Sequence, residues 1–251
     1  MLGQALSKTH SFPRRWLYRL WGVPDINARQ KWSALWPYLR VMPDSLRLLD
    51  AGCGNGSWAL ELAARKPSWR VTGLDKNVEA IRLATLAKEK LGLANVSFVC
   101  DDFLRYQPDS TYDVVLSVAS AHYLVEEGRG IELFRAFRSW LRPDGRLLLL
   151  GPRCRDEVPA VNWLPMPMSK RRDIFSEQQL LSLCQEAELY IQRLQPAVFA
   201  LGTLATQLSA FRKSFPALVL LYSLEWGMTI SDRFLPLNRG KSAYWVLLAV
   251  R

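Results

Sequence analysis

Three glycines at alternate positions, Gly52, Gly54 and Gly56, follow an apolar run that ends in Asp50. This pattern suits a backbone that cradles a ligand. Glycine accepts positive φ and lets a ligand approach the main chain closely. The residues after Gly56 read as a helix start, where the first N–H groups lack partners within the helix. A nucleotide-like molecule resting on this loop is the chemistry implied. The spacing is G-x-G-x-G, and Ser57 stands where the dinucleotide pattern G-x-G-x-x-G needs its third glycine.

Two further acidic positions follow. Asp75 closes the next apolar run, about 20 residues beyond the glycines, the offset at which an acid meets a ribose in Rossmann-like folds. A carboxylate has two acceptor oxygens and can take two hydroxyls at once. Asp101 and Asp102 follow a third such run and precede Phe103. A proton acceptor is also available. His122 is one of only 2 histidines, and its ordinary pKa near 6.5 suits a base at neutral pH. It follows the fourth apolar run, with Ser117 and Tyr123 close by. Tyr123, Glu126 and Glu127 are weaker candidates, and His10 is weaker still.

The elements that must hold these residues can be read from the same stretches. Apolar runs near 46–51, 69–75, 96–100, 112–117 and 146–151 are expected strands. Between them, 56–66, 77–91 and 127–141 are expected helices. The motif Ser176-Glu177-Gln178-Gln179 fits a capping box and starts a helix over 176–188. Strand six is expected over 189–195 and strand seven over 242–250. Pro143-Asp144-Gly145 is a turn signal before strand five. Residues 1–45 read as amphipathic helices broken at Pro13, Pro24 and Pro37. The stretch 196–241 is apolar and long for a connection between strands, where 2–6 residues is usual. It reads as a helical, lid-like insertion, with packing element and dimer interface as the alternatives.

In order and spacing, Asp50-Ala51-Gly52-Cys53-Gly54-Asn55-Gly56, Asp75, Asp101-Asp102-Phe103, and Leu141-Arg142-Pro143-Asp144-Gly145 resemble the motifs of the class I S-adenosylmethionine-dependent methyltransferases. The resemblance covers about residues 46–151. It implies a Rossmann-like three-layer αβα sandwich with a seven-stranded, mostly parallel sheet in order 3-2-1-4-5-7-6, strand seven being antiparallel. It implies a cofactor site of Asp50, Gly52, Cys53, Gly54, Asp75, Lys76, Asp101, Asp102, Phe103 and Ser117. In that family the acid at Asp75 takes both ribose hydroxyls. An acid at Asp101 meets the adenine amino group, and a backbone N–H near Asp102 meets the ring. The cofactor is then S-adenosyl-L-methionine, leaving as S-adenosyl-L-homocysteine. One domain is expected over 1–251, with 1–45 an N-terminal helical extension, 46–195 and 242–251 the core, and 196–241 the insertion.

Family motifs also exclude substrates. Ser117 is not followed by the two prolines of the exocyclic-amine enzymes, and no Pro–Cys nucleophile stands near strand four. Ser117 and Gly151 stand where metal-assisted catechol enzymes carry acids, so no metal is expected.

Composition narrows the class further. The chain has 251 residues, 49% of them hydrophobic, enough for one sizeable core. No apolar run reaches the roughly 18 residues of a membrane span. The 4 cysteines include no C-x-x-C pair, so neither a zinc site nor a disulfide framework is indicated. Cys53 and Cys100 read as small apolar fillers. The cytoplasm is the expected address, with peripheral membrane contact and oligomeric state left open. The net charge of +10, with an Arg- and Trp-rich start, suits an anionic partner or only a solvated surface. The reading that best fits all of this is metal-independent methylation of an O, N or C atom of a small, apolar or lipid-linked acceptor. The rival readings are RNA methylation and a non-catalytic partner-binding protein on the same fold.

Overall fold

Strands buried on both faces must be near-continuously apolar, as parallel strands covered by helices are. This computed structural model, which describes residues 28–153, 175–197 and 244–251, has seven strands among those residues; the central ones meet that requirement and the two edge strands do not. The seven are β1 (Arg47–Ala51), β2 (Arg70–Asp75), β3 (Val96–Cys100), β4 (Tyr112–Val118), β5 (Leu141–Pro152), β6 (Tyr190–Ala197) and β7 (Tyr244–Val250). The helices are α1 (Ala28–Leu39), α2 (Ser57–Arg65), α3 (Val78–Leu91), α4 (His122–Glu126), α5 (Gly130–Trp140) and α6 (Glu177–Glu186). The strands lie in the order β3-β2-β1-β4-β5-β7-β6, all parallel except β7, as expected.

Alternation along each strand divides the core between two helical layers. On one face Leu49, Ala51, Leu147, Leu149, Trp245 and Leu247 pack with Phe134, Phe137 and Trp140 of α5 and Leu180 of α6. On the other, Leu48, Leu116, Leu148, Leu150 and Val246 meet Leu35 and Leu39 of α1 and Leu60 and Leu62 of α2. Helix starts follow local chemistry. Asn77 caps α3 by accepting from the Ala80 N–H at 3.0 Å, and Ser176 caps α6 by accepting from the Gln179 N–H at 3.0 Å.

Several expectations need correction. Pro37 does not break α1, because it lies in the last turn, where the lost N–H removes only one bond; the Arg40 N–H still reaches the Trp36 carbonyl at 2.9 Å. The helix expected over 127–141 is α5, which begins only at Gly130; an unexpected short helix, α4, precedes it, and Gly128 with φ 76° separates the two. The Pro143-Asp144-Gly145 turn is absorbed into β5 as an irregularity, where Asp144 takes φ 62° and the register against β4 shifts between Tyr112 and Val114. Strand β6 continues to Ala197, past the expected limit of 195. Cys100 is exposed, because β3 is the edge strand. The expected N-terminal helices before residue 28, and all but the first two residues of the insertion expected over 196–241, lie outside the described residues, as do His10 and Cys154.

Candidate cofactor and acceptor site

At the carboxyl edge of the sheet, β1 stops at Ala51 and the chain turns back through the glycines. Gly52, Gly54 and Gly56 take φ of 82°, 53° and 76°. The N–H groups of Gly52 and Cys53 both donate to the Leu74 carbonyl, at 2.8 and 3.0 Å, tying the loop to the end of β2. The Gly54 N–H donates to Asp75 Oδ2 at 2.8 Å. The other carboxylate oxygen, Oδ1, accepts from the Asn77 N–H at 2.9 Å. Asp75 thus fixes both the glycine loop and the start of α3. Each of its oxygens keeps lone-pair capacity for another donor.

Two glycines are required by their surroundings. A Cβ on Gly52 would overlap the Ser120 side chain and press on the Phe103 ring. A Cβ on Gly56 would come within 2.7 Å of the Phe98 ring. The first keeps the floor of the site open, and the second lets β3 and α2 approach.

Beneath the loop, Asp50 is buried and its Oδ2 accepts from the Ala59 N–H at 3.2 Å. Helix α2 has no side-chain cap of its own at Gly56, so Asp50 supplies one from the strand. Burial pushes its carboxyl up to about 7; the Ala59 N–H opposes this, and the nearby Asp75 charge adds to it. Cys53 is buried beside these acids, and burial, then the charges of Asp50 and Asp75, push its thiol well above the ordinary range. Lys76, next along the rim, is exposed.

After β3, Asp101 Oδ1 accepts from the Asp102 N–H at 2.8 Å and lies 3.8 Å from Arg105 Nε. The Asp102 N–H expected to meet an adenine ring is therefore engaged within its own loop. Asp102 Oδ1 accepts from the Leu104 N–H at 2.9 Å. Phe103 packs edge-on against Phe137 and Trp140, with centroids 6.4 and 6.3 Å away, and its ring tip faces Gly52.

The loop after β4 holds the residue that sequence reasoning missed. Ser120 Oγ donates to the Ala51 carbonyl at 2.8 Å and lies 2.9 Å from the Oγ of buried Ser117. Ala119, before it, takes φ 52°, which costs a non-glycine residue strain. The only signal in the sequence was the run of small residues from Ser117 to Ala121. His122 is buried at the start of α4, and its ring centroid lies 4.1 Å from that of half-exposed Tyr123. Glu126 and Glu127 are exposed.

The ends of β1, β2, β3 and β4 therefore converge, and they carry every expected cofactor residue to one edge. Among the described residues, no group of three or more His, Cys, Asp or Glu is arranged to hold a metal. No described helix is long and apolar enough to cross a membrane.

Residues 48–145 match the family model described as a methyltransferase domain. A probable (S)-tetrahydroprotoberberine N-methyltransferase of Papaver bracteatum is 33% identical over 107 residues, 42% of this chain and 29% of that protein. A ribosomal RNA small subunit methyltransferase G of Hydrogenovibrio crunogenus is 40% identical over 85 residues, 34% of this chain and 38% of that protein. These matches thus span about a third of each relative's length. Among solved structures, a coclaurine N-methyltransferase bound to N-methylheliamine and S-adenosylhomocysteine superposes with a TM-score of 0.60 at 18% identity, covering 88% of this chain and 72% of the other. At that identity the likeness speaks for the fold alone.

Proposed function

We propose that this chain, which matches a methyltransferase-domain model over residues 48–145, is a class I S-adenosylmethionine-dependent methyltransferase that moves a methyl group to an O, N or C atom of a small acceptor that is apolar or lipid-linked. The observation that carries the reading is the glycine loop locked to Asp75. Gly54 faces open space, and the acid is held at the rim by two backbone N–H groups. S-adenosylmethionine, when bound, supplies a methyl group made electrophilic by its sulfonium.

The chain's own residues would then do the rest. Asp75 would accept the ribose hydroxyls, and Asp101 the adenine amino group. Phe103 and Ser120 would bound the floor above Gly52. The protein's larger task is to hold the acceptor nucleophile about 3 Å from the methyl and in line with it. A base is needed only where that nucleophile must lose a proton, and His122 is the residue we assign to it. The apolar insertion read over 196–241, beyond the part of it that belongs to β6, is the segment we assign to covering the acceptor.

Calorimetric titration with S-adenosylmethionine and S-adenosylhomocysteine, with NADH as the control, tests the reading. Micromolar binding of the sulfur compounds but not of NADH is expected. No binding of either would overturn it and favour a non-catalytic scaffold. RNA methylation is the second reading, favoured by the net charge of +10 and by the ribosomal RNA relative. Phosphate contacts make affinity fall steeply with salt, so acceptor binding that barely changes between 50 and about 200 mM salt would count against RNA.

A further inference from the structure

Away from the cofactor loop, a second concavity lies between α1 and the β7–β6 edge, with a cavity volume of about 1000 Å³. That is large enough for a sizeable organic ligand. Strands β7 and β6 lie three and four positions from β1, roughly 14 and 19 Å away at about 4.8 Å per strand. Its chemistry is one-sided. Arg40, Arg146 and Arg193 all line it, and no Asp or Glu does. None of the three forms an ion pair with an acid among the described residues. Arg146 Nη1 reaches only the Met42 sulfur, at 3.4 Å, and the Arg193 guanidinium lies 6.0 Å from the Tyr38 ring.

A second, independent observation points to a ligand. Gln30 lines the same cavity, is 97% buried (3% exposed), and neither its Nε2 nor its Oε1 has a hydrogen-bond partner among the described residues. The Tyr38 hydroxyl, also in the lining, is buried without a partner there as well. Buried polar groups are nearly always satisfied, so a ligand that draws these two side chains a short way toward the cavity would gain hydrogen bonds at no cost in existing ones. The remaining wall is apolar, with Pro37, Val41, Pro196 and Leu248.

We propose that this cavity is a binding site, separate from the cofactor loop, for a phosphate-bearing amphiphile. Guanidinium groups pair with phosphate and carboxylate in a fork geometry. Three of them offer more donors than the two oxygens of one carboxylate can take, which favours phosphate. The amide of Gln30 and the hydroxyl of Tyr38 suit the ester and hydroxyl oxygens next to the head, and the apolar wall suits the tail. The site does not depend on the methyl-transfer reading.

The test uses the full chain and dioctanoyl phosphatidic acid below its micellar concentration. Dioctanoylglycerol and inorganic phosphate are the controls for tail and head alone. Saturable binding of one phosphatidic acid per chain is expected, at least tenfold tighter than either control. Arg40 and Arg193 are exposed, so R40Q/R193Q should keep the fold and lose at least tenfold in affinity. Gln30→Leu should also weaken binding while keeping or raising Tm, because it removes an unsatisfied buried amide. S-adenosylhomocysteine titration should be unchanged in all these variants, which separates this site from the cofactor site.

Comparable binding of dioctanoylglycerol or inorganic phosphate would overturn the proposal, as would unchanged affinity in R40Q/R193Q. Displacement of the lipid by a single-stranded oligonucleotide would overturn it in favour of a nucleic-acid contact. Sedimentation with phosphatidylcholine vesicles carrying phosphatidic acid, lost in R40Q/R193Q, would identify a membrane as the source. Binding of the monomeric lipid without sedimentation would identify a free phosphorylated molecule.

Discussion

The loop after β1 and the loop after β4 face each other across Gly52, and they are held in different ways. The first is fixed by backbone N–H groups donating to the Leu74 carbonyl and the Asp75 carboxylate. The second has a backbone anchor too, the Ala119 N–H donating to the Leu150 carbonyl at 2.8 Å, but it adds the side-chain hydroxyls of Ser117 and Ser120 and carries a strained Ala119. A site for an invariant ligand can be built from backbone and two acids. Under the proposed function the second loop borders the cofactor through Ser120 and offers His122 to the acceptor, so side chains carry there what backbone carries in the first loop.

The largest effect that would break this contrast is at Asp75. Asp75→Ala removes the acceptor for two backbone N–H groups and the proposed ribose partner. Charged hydrogen bonds of about 1.5–3 kcal/mol each predict at least a 100-fold loss of S-adenosylhomocysteine affinity by calorimetry. Unchanged affinity would remove Asp75 from the cofactor site. His122→Ala probes the other loop. If His122 is the base, turnover should fall about 100-fold with cofactor affinity spared; near-normal turnover would reduce it to packing.

A smaller effect is predicted from pH. The folded carboxyl of Asp50 titrates at about 7, against 3.8 when unperturbed. Between these values the unfolded chain has released a proton that the folded chain keeps. Asp50 therefore contributes stability fully at low pH and loses it as pH rises through 7. The slope should reach roughly 2 kcal/mol over two pH units. Asp50→Asn, which stays neutral and can still accept from Ala59, should flatten it in thermal melts from pH 4.5 to 6.5. An unchanged slope would mean that Asp50 is ionised in the folded protein. Smallest is Ser120→Ala, which should cost about 1 kcal/mol in denaturant unfolding and shift cofactor affinity only a few-fold. A loss as large as that of Asp75→Ala would erase the distinction between the two loops.

The same contrast explains what the sequence made legible. Leu48-Leu49 and Leu147 to Leu150 read as buried strands because burial on both faces leaves no room for polar alternation. Gly52 and Asp75 were legible because backbone conformation and a fixed ligand constrain residue type. Ser120 was not, because a serine in a run of small residues has no periodic or spacing signal, and its importance arises from Ala51, 69 positions away. The exposure of Cys100 depends on β3 being at the edge, which is a property of strand order rather than of the strand. Pro37 misled because it stands two residues from the end of α1, where a proline has little helix left to interrupt.

The placement of β7 between β5 and β6 also has a consequence for how the chain is made. Among the described residues, 190–197 pair only with 244–250, so β6 leaves the ribosome before the strand it joins. The five strands from β3 to β5 can assemble first. Segments far apart in sequence must then meet, which slows closure. A nascent chain halted before residue 244 should therefore hold residues 47–152 in protease-resistant form while 190–197 remains open to cleavage.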